Sequence, residues 1–188
     1  VKGRNDVFVT QNLTDKTHFI ASTGIAGRHA DPKVMVTMDT YAIDGVKPEQ
    51  VHHLYAPTHL NRTSEYGVSF ERGTYVDYGD RRHVFISGTA SINNKGEVVH
   101  AGDIRQQTRR MWENVETLLA EAGCTFDDAA HLIVYLRDIA DYAVVRQMYE
   151  ERFPTHPTVF LLAPVCRPSW LIEMECMAVK RMENEAYP

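Results

Sequence analysis

Residues Leu171–Val179 read Leu-Ile-Glu-Met-Glu-Cys-Met-Ala-Val, and their period-two alternation predicts a strand. Ile172, Met174, Cys176 and Ala178 fall on one face, which is purely apolar and small enough to lie under helices. Leu171, Glu173, Glu175, Met177 and Val179 fall on the other. A carboxylate on a covered sheet face is expensive unless a partner pairs with it or a reaction uses it. This strand therefore predicts a sheet with two unlike faces, and Glu173 is the first residue whose surroundings need explaining.

The preceding residues supply such a sheet. Strands are expected at Gly73–Tyr78 and His83–Ile92, with Asn93–Gly96 as a turn. The best helix runs over Asp103–Ala122: Ile104, Met111, Val115, Leu118, Leu119 and Ala122 make an apolar stripe, Asp103 is the N-cap and Gly123 the stop. Ala129–Leu136 is a strand with little alternation, as when both faces are covered. Asp141 caps a second helix over Tyr142–Phe153, ended by Pro154, and Thr158–Ala163 is the next strand. From residue 73 the order is β-β-α-β-α-β-β, which predicts one α+β sheet with two helices on one face. The other face, bearing Glu173 and Glu175, then needs a cover, and a second copy of the chain is the simplest.

Residues 1–60 form an N-terminal extension to a domain at 61–188. Strands are expected at Thr17–Gly27 and Val34–Ile43, with a short helix at Lys47–Leu54. His18–Gly24 weakly echoes His83–Gly88, and Val34–Ile43 has the texture of Leu171–Lys180, so the extension reads either as a degenerate repeat of the domain or as a chance match of two β-rich strings. His52, His53 and His59 invite a metal reading. Adjacent residues on a helix point to different sides, however, and no acidic residue is spaced to complete a site, so no metal is expected.

Length and charge narrow the function. A chain of 188 residues suits one domain with an extension. Its net charge of -5 and lack of a basic patch disfavour nucleic-acid binding. No apolar run is long enough to span a bilayer, and the start, Val-Lys-Gly-Arg-Asn-Asp, has no signal-peptide core. Because that start lacks Met, the sequence is taken as a processed or partial product. Cys124, Cys166 and Cys176 have no CxxC spacing and fit a reducing cytoplasm. Phosphate-loop and HExxH motifs are lacking, so a cofactor-free protein is expected.

Ser87-Gly88, the helix with Gln106 and Asn114 ending at Ala122-Gly123, Val134–Asp138 with Asp141-Tyr142, and above all Ile172–Val179 resemble the RidA (YjgF) superfamily over residues 82–181. The resemblance implies a chorismate-mutase-like fold assembled as a homotrimer with clefts between subunits. It also implies hydrolysis of reactive enamines and imines; older family labels are endoribonuclease and translation inhibitor. Glu173 matches the family's water-activating glutamate. The family's carboxylate-gripping Arg, after a Pro-Ala pair, falls near Pro157-Thr158-Val159, where there is none. Ser87–Ile92, Gly102-Asp103 and Cys166-Arg167-Pro168 are also similar to chorismatases, pyruvate-releasing hydrolases with a RidA-like C-terminal half. In that branch the matching glutamate protonates an enol ether and a nearby cysteine sets the outcome.

The expected site is thus Glu173 as the catalytic group, with Tyr66, Arg72, Ser87, Gly88, Cys166 and Arg167 binding a small carboxylate-bearing substrate. Arg62 is a further candidate for the missing clamp, and Phe70 competes with Tyr66. The expected activity is hydrolysis of an enamine, imine or chorismate-like compound. The alternative is a ligand-binding or scaffolding protein that has lost turnover.

Overall fold

The computed structural model describes residues 2–187, apart from the side chain of Tyr66. Its centre is a six-stranded mixed sheet built from β1 (Val51–Leu54), β2 (Gly73–Asp77), β3 (Arg81–Ala90), β4 (Ala129–Leu136), β5 (Thr158–Leu162) and β6 (Ile172–Arg181), in the order β1-β2-β3-β6-β4-β5. Every neighbouring pair is antiparallel except β4 and β5. Helix α1 (Lys2–Thr10) precedes the sheet, α2 (Ile104–Glu121) links β3 to β4, and α3 (Tyr142–Arg152) links β4 to β5.

The two faces of β6 behave as its alternation requires. Ile172, Met174, Cys176 and Ala178 are buried with Val84 and Ile86 of β3 and Leu132, Val134 and Leu136 of β4. Met111, Val115, Leu118 and Leu119 of α2 and Val145, Met148 and Tyr149 of α3 close this layer. Asp103 accepts a hydrogen bond from the Gln106 N–H at 3.0 Å and starts α2, and Gly123 ends it at φ +68°. Two buried amides tie α2 to the site. Asn114 Nδ2 donates to the carbonyls of Ala90 and Ile92, and Gln107 holds Ser169 and Leu171 at the entry to β6.

The N-terminal residues depart from expectation. Thr17–Gly27 and Val34–Ile43 form no strands; within them only Ala21 makes a bridge, to Glu71. The expected helix at Lys47–Leu54 is a single 3-10 turn, Pro48–Gln50, followed by β1, because His52 and His53 pair in register with Tyr75 and Thr74 of β2. The sheet thus reaches back before residue 61. Asp141 makes no side-chain cap on α3; Asp138 instead accepts from the Ala140 N–H at 2.9 Å. Among the described residues no helix is long and apolar enough to cross a membrane.

Met174 has no exposed surface, and its sulfur accepts the Tyr149 hydroxyl at 3.0 Å. Met174→Ala should cost about 2–5 kcal/mol in urea unfolding with an unchanged slope. A loss below about 1 kcal/mol would show that α3 does not pack on β6 as described.

Candidate functional site

A bulge creates the site. Ile86 pairs with Cys176 and Thr89 with Met174, so β3 takes three steps where β6 takes two. The extra residue lies at Ser87-Gly88, and such a bulge re-aims the backbone beside it. Ser87 is pinned: its N–H donates to the Arg72 carbonyl at 3.0 Å and its hydroxyl to the Glu71 carbonyl at 2.6 Å. A Cβ at Gly88 would fall on the Glu173 carboxylate and 2.9 Å from Thr23 Cγ2, so only glycine lets the backbone come this close.

Glu173 stands opposite Ala90 on β3 and Tyr135 on β4. It is 4% exposed, and its Oε2 has no hydrogen-bond partner among the described residues. Burial, then the neighbouring Glu175 carboxylate, push its carboxyl up to about 7, against the opposing pull of Arg72. Glu175, two residues on, is only half-buried and accepts the Tyr135 hydroxyl at 3.0 Å. The same burial, with Glu175 second, raises the Tyr135 phenol far above its usual range, so it remains a donor. Of the two carboxyls on this face, only Glu173 is sequestered and lacks a full set of partners.

Arg72 is buried with its guanidinium oriented by Asn61: Nε and Nη2 donate to the Asn61 carbonyl, each at 3.1 Å, and Nη2 to Oδ1 at 3.0 Å. Cys166 turns its sulfur to the Gly24 carbonyl at 3.3 Å. Burial, then Glu173, raise its thiol, which disfavours a thiolate nucleophile. The connection carrying Cys166 is fastened by Arg137, which donates to the carbonyls of Val165, Arg167 and Trp170.

The residues around His18–Gly24 lie as a strap across this constellation. Phe19 N–H donates to Glu71 Oε1 at 2.9 Å, and Glu71 N–H returns a bond to the Ile20 carbonyl at 2.9 Å. Ser22 N–H donates to the Ser87 hydroxyl at 3.0 Å. Thr23 Oγ1 accepts the Gly88 N–H at 2.9 Å. The bulge amide is therefore occupied by a hydroxyl of the chain itself. Beside the strap a polar cavity of about 270 Å³ is lined by Lys16, His18, Tyr55, Arg62, Glu71 and Arg72 among others.

Of the residues expected from the sequence, Arg72, Ser87, Gly88, Cys166 and Glu173 come together. Arg167 is exposed, its guanidinium 5.6 Å from the Trp170 ring centroid, and Arg62 lies 5.2 Å over Tyr55 at the cavity. The Tyr66 side chain lies outside the described residues. Val159 is exposed on β5. Ser22, Thr23 and Arg137 were not foreseen, since each acts on residues far away in sequence, nor was Asn61, which reaches Arg72 across an irregular segment. Nor was the proximity of His53 to an acid. His18 and His53 stack with ring centroids 3.8 Å apart, and Glu71 lies beside them. Burial, then His18 and His52, lower His53 to about 4, so its ring is neutral.

A family model described as Endoribonuclease L-PSP matches residues 70–180. A RutC family protein of Pyrococcus abyssi is 37% identical over 100 residues, covering 52% of this chain and 78% of the relative. The 3-aminoacrylate deaminase RutC of Acinetobacter baylyi is 34% identical over 97 residues, covering 50% and 77%. A chorismatase crystal structure is similar with a TM-score of 0.70 at 22% identity, over 94% of this chain and 55% of its own, a likeness of fold.

The raised Glu173 carboxyl has a stability consequence. From 4.5 in the unfolded chain it goes to about 7 when folded, so its stabilisation is complete below pH 4.5 and is lost as pH rises through about 7. Glu173→Gln, which cannot ionise, should exceed the wild type by on the order of 3 kcal/mol above that range, the gap closing at pH 4.5 and below. Chemical denaturation across pH 4–9 checks this, and a gap that does not vary with pH would contradict it.

Proposed function

We propose that this chain, which belongs to the endoribonuclease L-PSP (RidA/YjgF) family, is a small-molecule hydrolase in which Glu173 is a general acid toward an electron-rich carbon–carbon double bond. The observation that carries this reading is the sequestered Glu173 carboxyl, raised to about 7 with its Oε2 unpartnered. A carboxyl in that state is substantially protonated near neutrality and has a proton to give.

One first step serves both substrate classes suggested by the relatives. In an enamine, nitrogen pushes electrons into the double bond, and carbon takes the proton to give an iminium. In an enol ether, oxygen does the same and gives an oxocarbenium. Water then adds to the cation and the amine or alcohol leaves, with Glu173 as carboxylate taking back a proton from that water. The named activity of the Acinetobacter baylyi relative, 3-aminoacrylate deamination, belongs to the first class. The chorismatase fold likeness, which extends into the residues before 70, supports the second. Arg72, whose charge acts on Glu173, holds the substrate carboxylate in this reading, with the Gly88 N–H as a second donor. Ser87 fixes the bulge, and Cys166, its sulfur at the Gly24 carbonyl and its thiol raised in part by Glu173, serves as a neutral thiol.

The proposal includes a homotrimer in the cytoplasm, with the residues before β1 as an extension to the family domain. The exposed Val159, Leu161 and Leu162 on β5 and Val179 on β6 supply apolar surface for subunit contacts. A second reading, ligand binding without turnover, is favoured by one observation: Thr23 occupies the Gly88 amide, so a substrate carboxylate has to displace it.

Release of pyruvate from chorismate, and of ammonia from freshly generated 3-aminoacrylate, separates the readings. Turnover of either, falling about 10²–10⁴-fold in Glu173→Gln and declining as pH rises through about 7, is the expected result. Saturable stabilisation by such carboxylates without turnover would establish the binding reading instead. The wild-type rate surviving in Glu173→Gln would remove Glu173 from the mechanism.

A further inference from the structure

Three segments distant in sequence meet beside the polar cavity, which His18 and Glu71 line. His18 comes from the strap, His53 from β1 and Glu71 from the residues just before β2. Each offers one ligand-capable atom, and these atoms lie within 4.8 Å of one another. Glu71 Oε1 is 3.8 Å from His18 Nδ1; the two imidazole rings stack at 12° to one another, so one ring, that of the exposed His18, turns out of the stack for both to bind one ion in their ring planes. His53 is half-buried, and its Nδ1 is enclosed with no hydrogen-bond partner among the described residues. A buried ring nitrogen left without a partner is unusual, and a ligand is one way to satisfy it.

We propose that His18, His53 and Glu71 form a binding site for a first-row divalent metal ion, with Zn²⁺ as the best fit, and that the ion staples the strap to the sheet. The chemistry of the donors selects the class. Two imidazoles and one carboxylate suit zinc, cobalt or nickel, whereas calcium and magnesium take oxygen donors. Bonds of about 2.0–2.1 Å put tetrahedral ligands roughly 3.3 Å apart, so the present spacing closes by about 1.5 Å or less. His18 is exposed and on a segment without helix or strand, so it is the ligand free to make that movement.

The surroundings suit a site that holds a shape. Glu71 is already oriented by the Phe19 N–H, and Tyr55 places its hydroxyl 3.3 Å from His18 Nδ1. Because Phe19 and Ile20 bond to Glu71, while Ser22 and Thr23 bond to the bulge, an ion on His18 and Glu71 fixes the segment lying over Glu173. Three protein ligands leave a fourth position for water. This inference stands apart from the proposed hydrolase activity.

The test uses the full chain freed of metal with a chelator, and it reads binding rather than turnover. Titration with Zn²⁺ by calorimetry should show one site per chain. Co²⁺ should give visible bands of a low-symmetry site without thiolate-to-metal charge transfer, which separates it from binding at the exposed Cys166. Saturating Zn²⁺ should raise the melting temperature by several degrees and slow proteolysis within residues 13–28. His18→Ala, an exposed position that should leave the fold intact, and Glu71→Gln should each weaken Zn²⁺ at least 10-fold. No binding to the wild type, binding unchanged in both variants, or a thiolate signature with Co²⁺ would each overturn the proposal.

Discussion

The structure is organised around a carboxyl group brought into a sheet without a counter-charge that fully neutralises it. Glu173 is enclosed because β6 lies between two partners, and because the β3 bulge and the strap close over it. Ionising such a group costs free energy, and the cost appears as a raised pKa rather than as a salt bridge. Surrounding residues hold the geometry: Asn61 aims Arg72, Ser87 ties the bulge to Glu71, and Arg137 fastens the Cys166 connection. Except for the Arg72–Asn61 Oδ1 bond, these bonds run to backbone carbonyls, so the constellation is set by scaffold more than by flexible side chains.

What the sequence revealed follows from the range of each signal. The alternation of Leu171–Val179 and the stripe from Ile104 to Ala122 report burial along a single element, and both elements formed with the expected face inward. Ala129–Leu136 matched to the residue. Val34–Ile43 has the same strand-like composition yet forms none: Met35, Val36, Met38 and Tyr41 are exposed, and Tyr41 alone is seen resting its ring against His83 and Phe85. Composition describes what a strand needs, but a strand also needs an edge to pair with. At the site, Glu173, Ser87 and Gly88 were legible because they lie in a contiguous recognisable pattern. Thr23 was not, since it acts on a residue 65 positions away, and Asn61 was not, since its bond to Arg72 depends on how an irregular segment folds back rather than on any periodic pattern.

The histidines illustrate the same limit from another direction. As a helix, Lys47–Leu54 points His52 and His53 apart from any acid. As strand β1, it sends His53 to the face that carries His18, while His52 stacks on Tyr75 and lies 3.9 Å from Asp77. One change of local geometry, forced by pairing with β2, gives neighbouring residues of one kind two unrelated environments.

The strand order has a consequence for how the molecule is made. A ribosome delivers β1, β2 and β3 first, then β4 and β5, yet the two groups are joined only through β6, the last of the six to emerge. Until then β3 and β4 each present an open backbone edge, and the apolar faces of α2 and α3 have an incomplete floor. The central hydrogen-bonded ladders are non-local, so closing them costs loop entropy before any contact rewards it. The nascent chain thus carries two sticky half-sheets through synthesis, and the burial of Glu173 coincides with their union: the residue at the heart of the site is also in the strand that completes the fold.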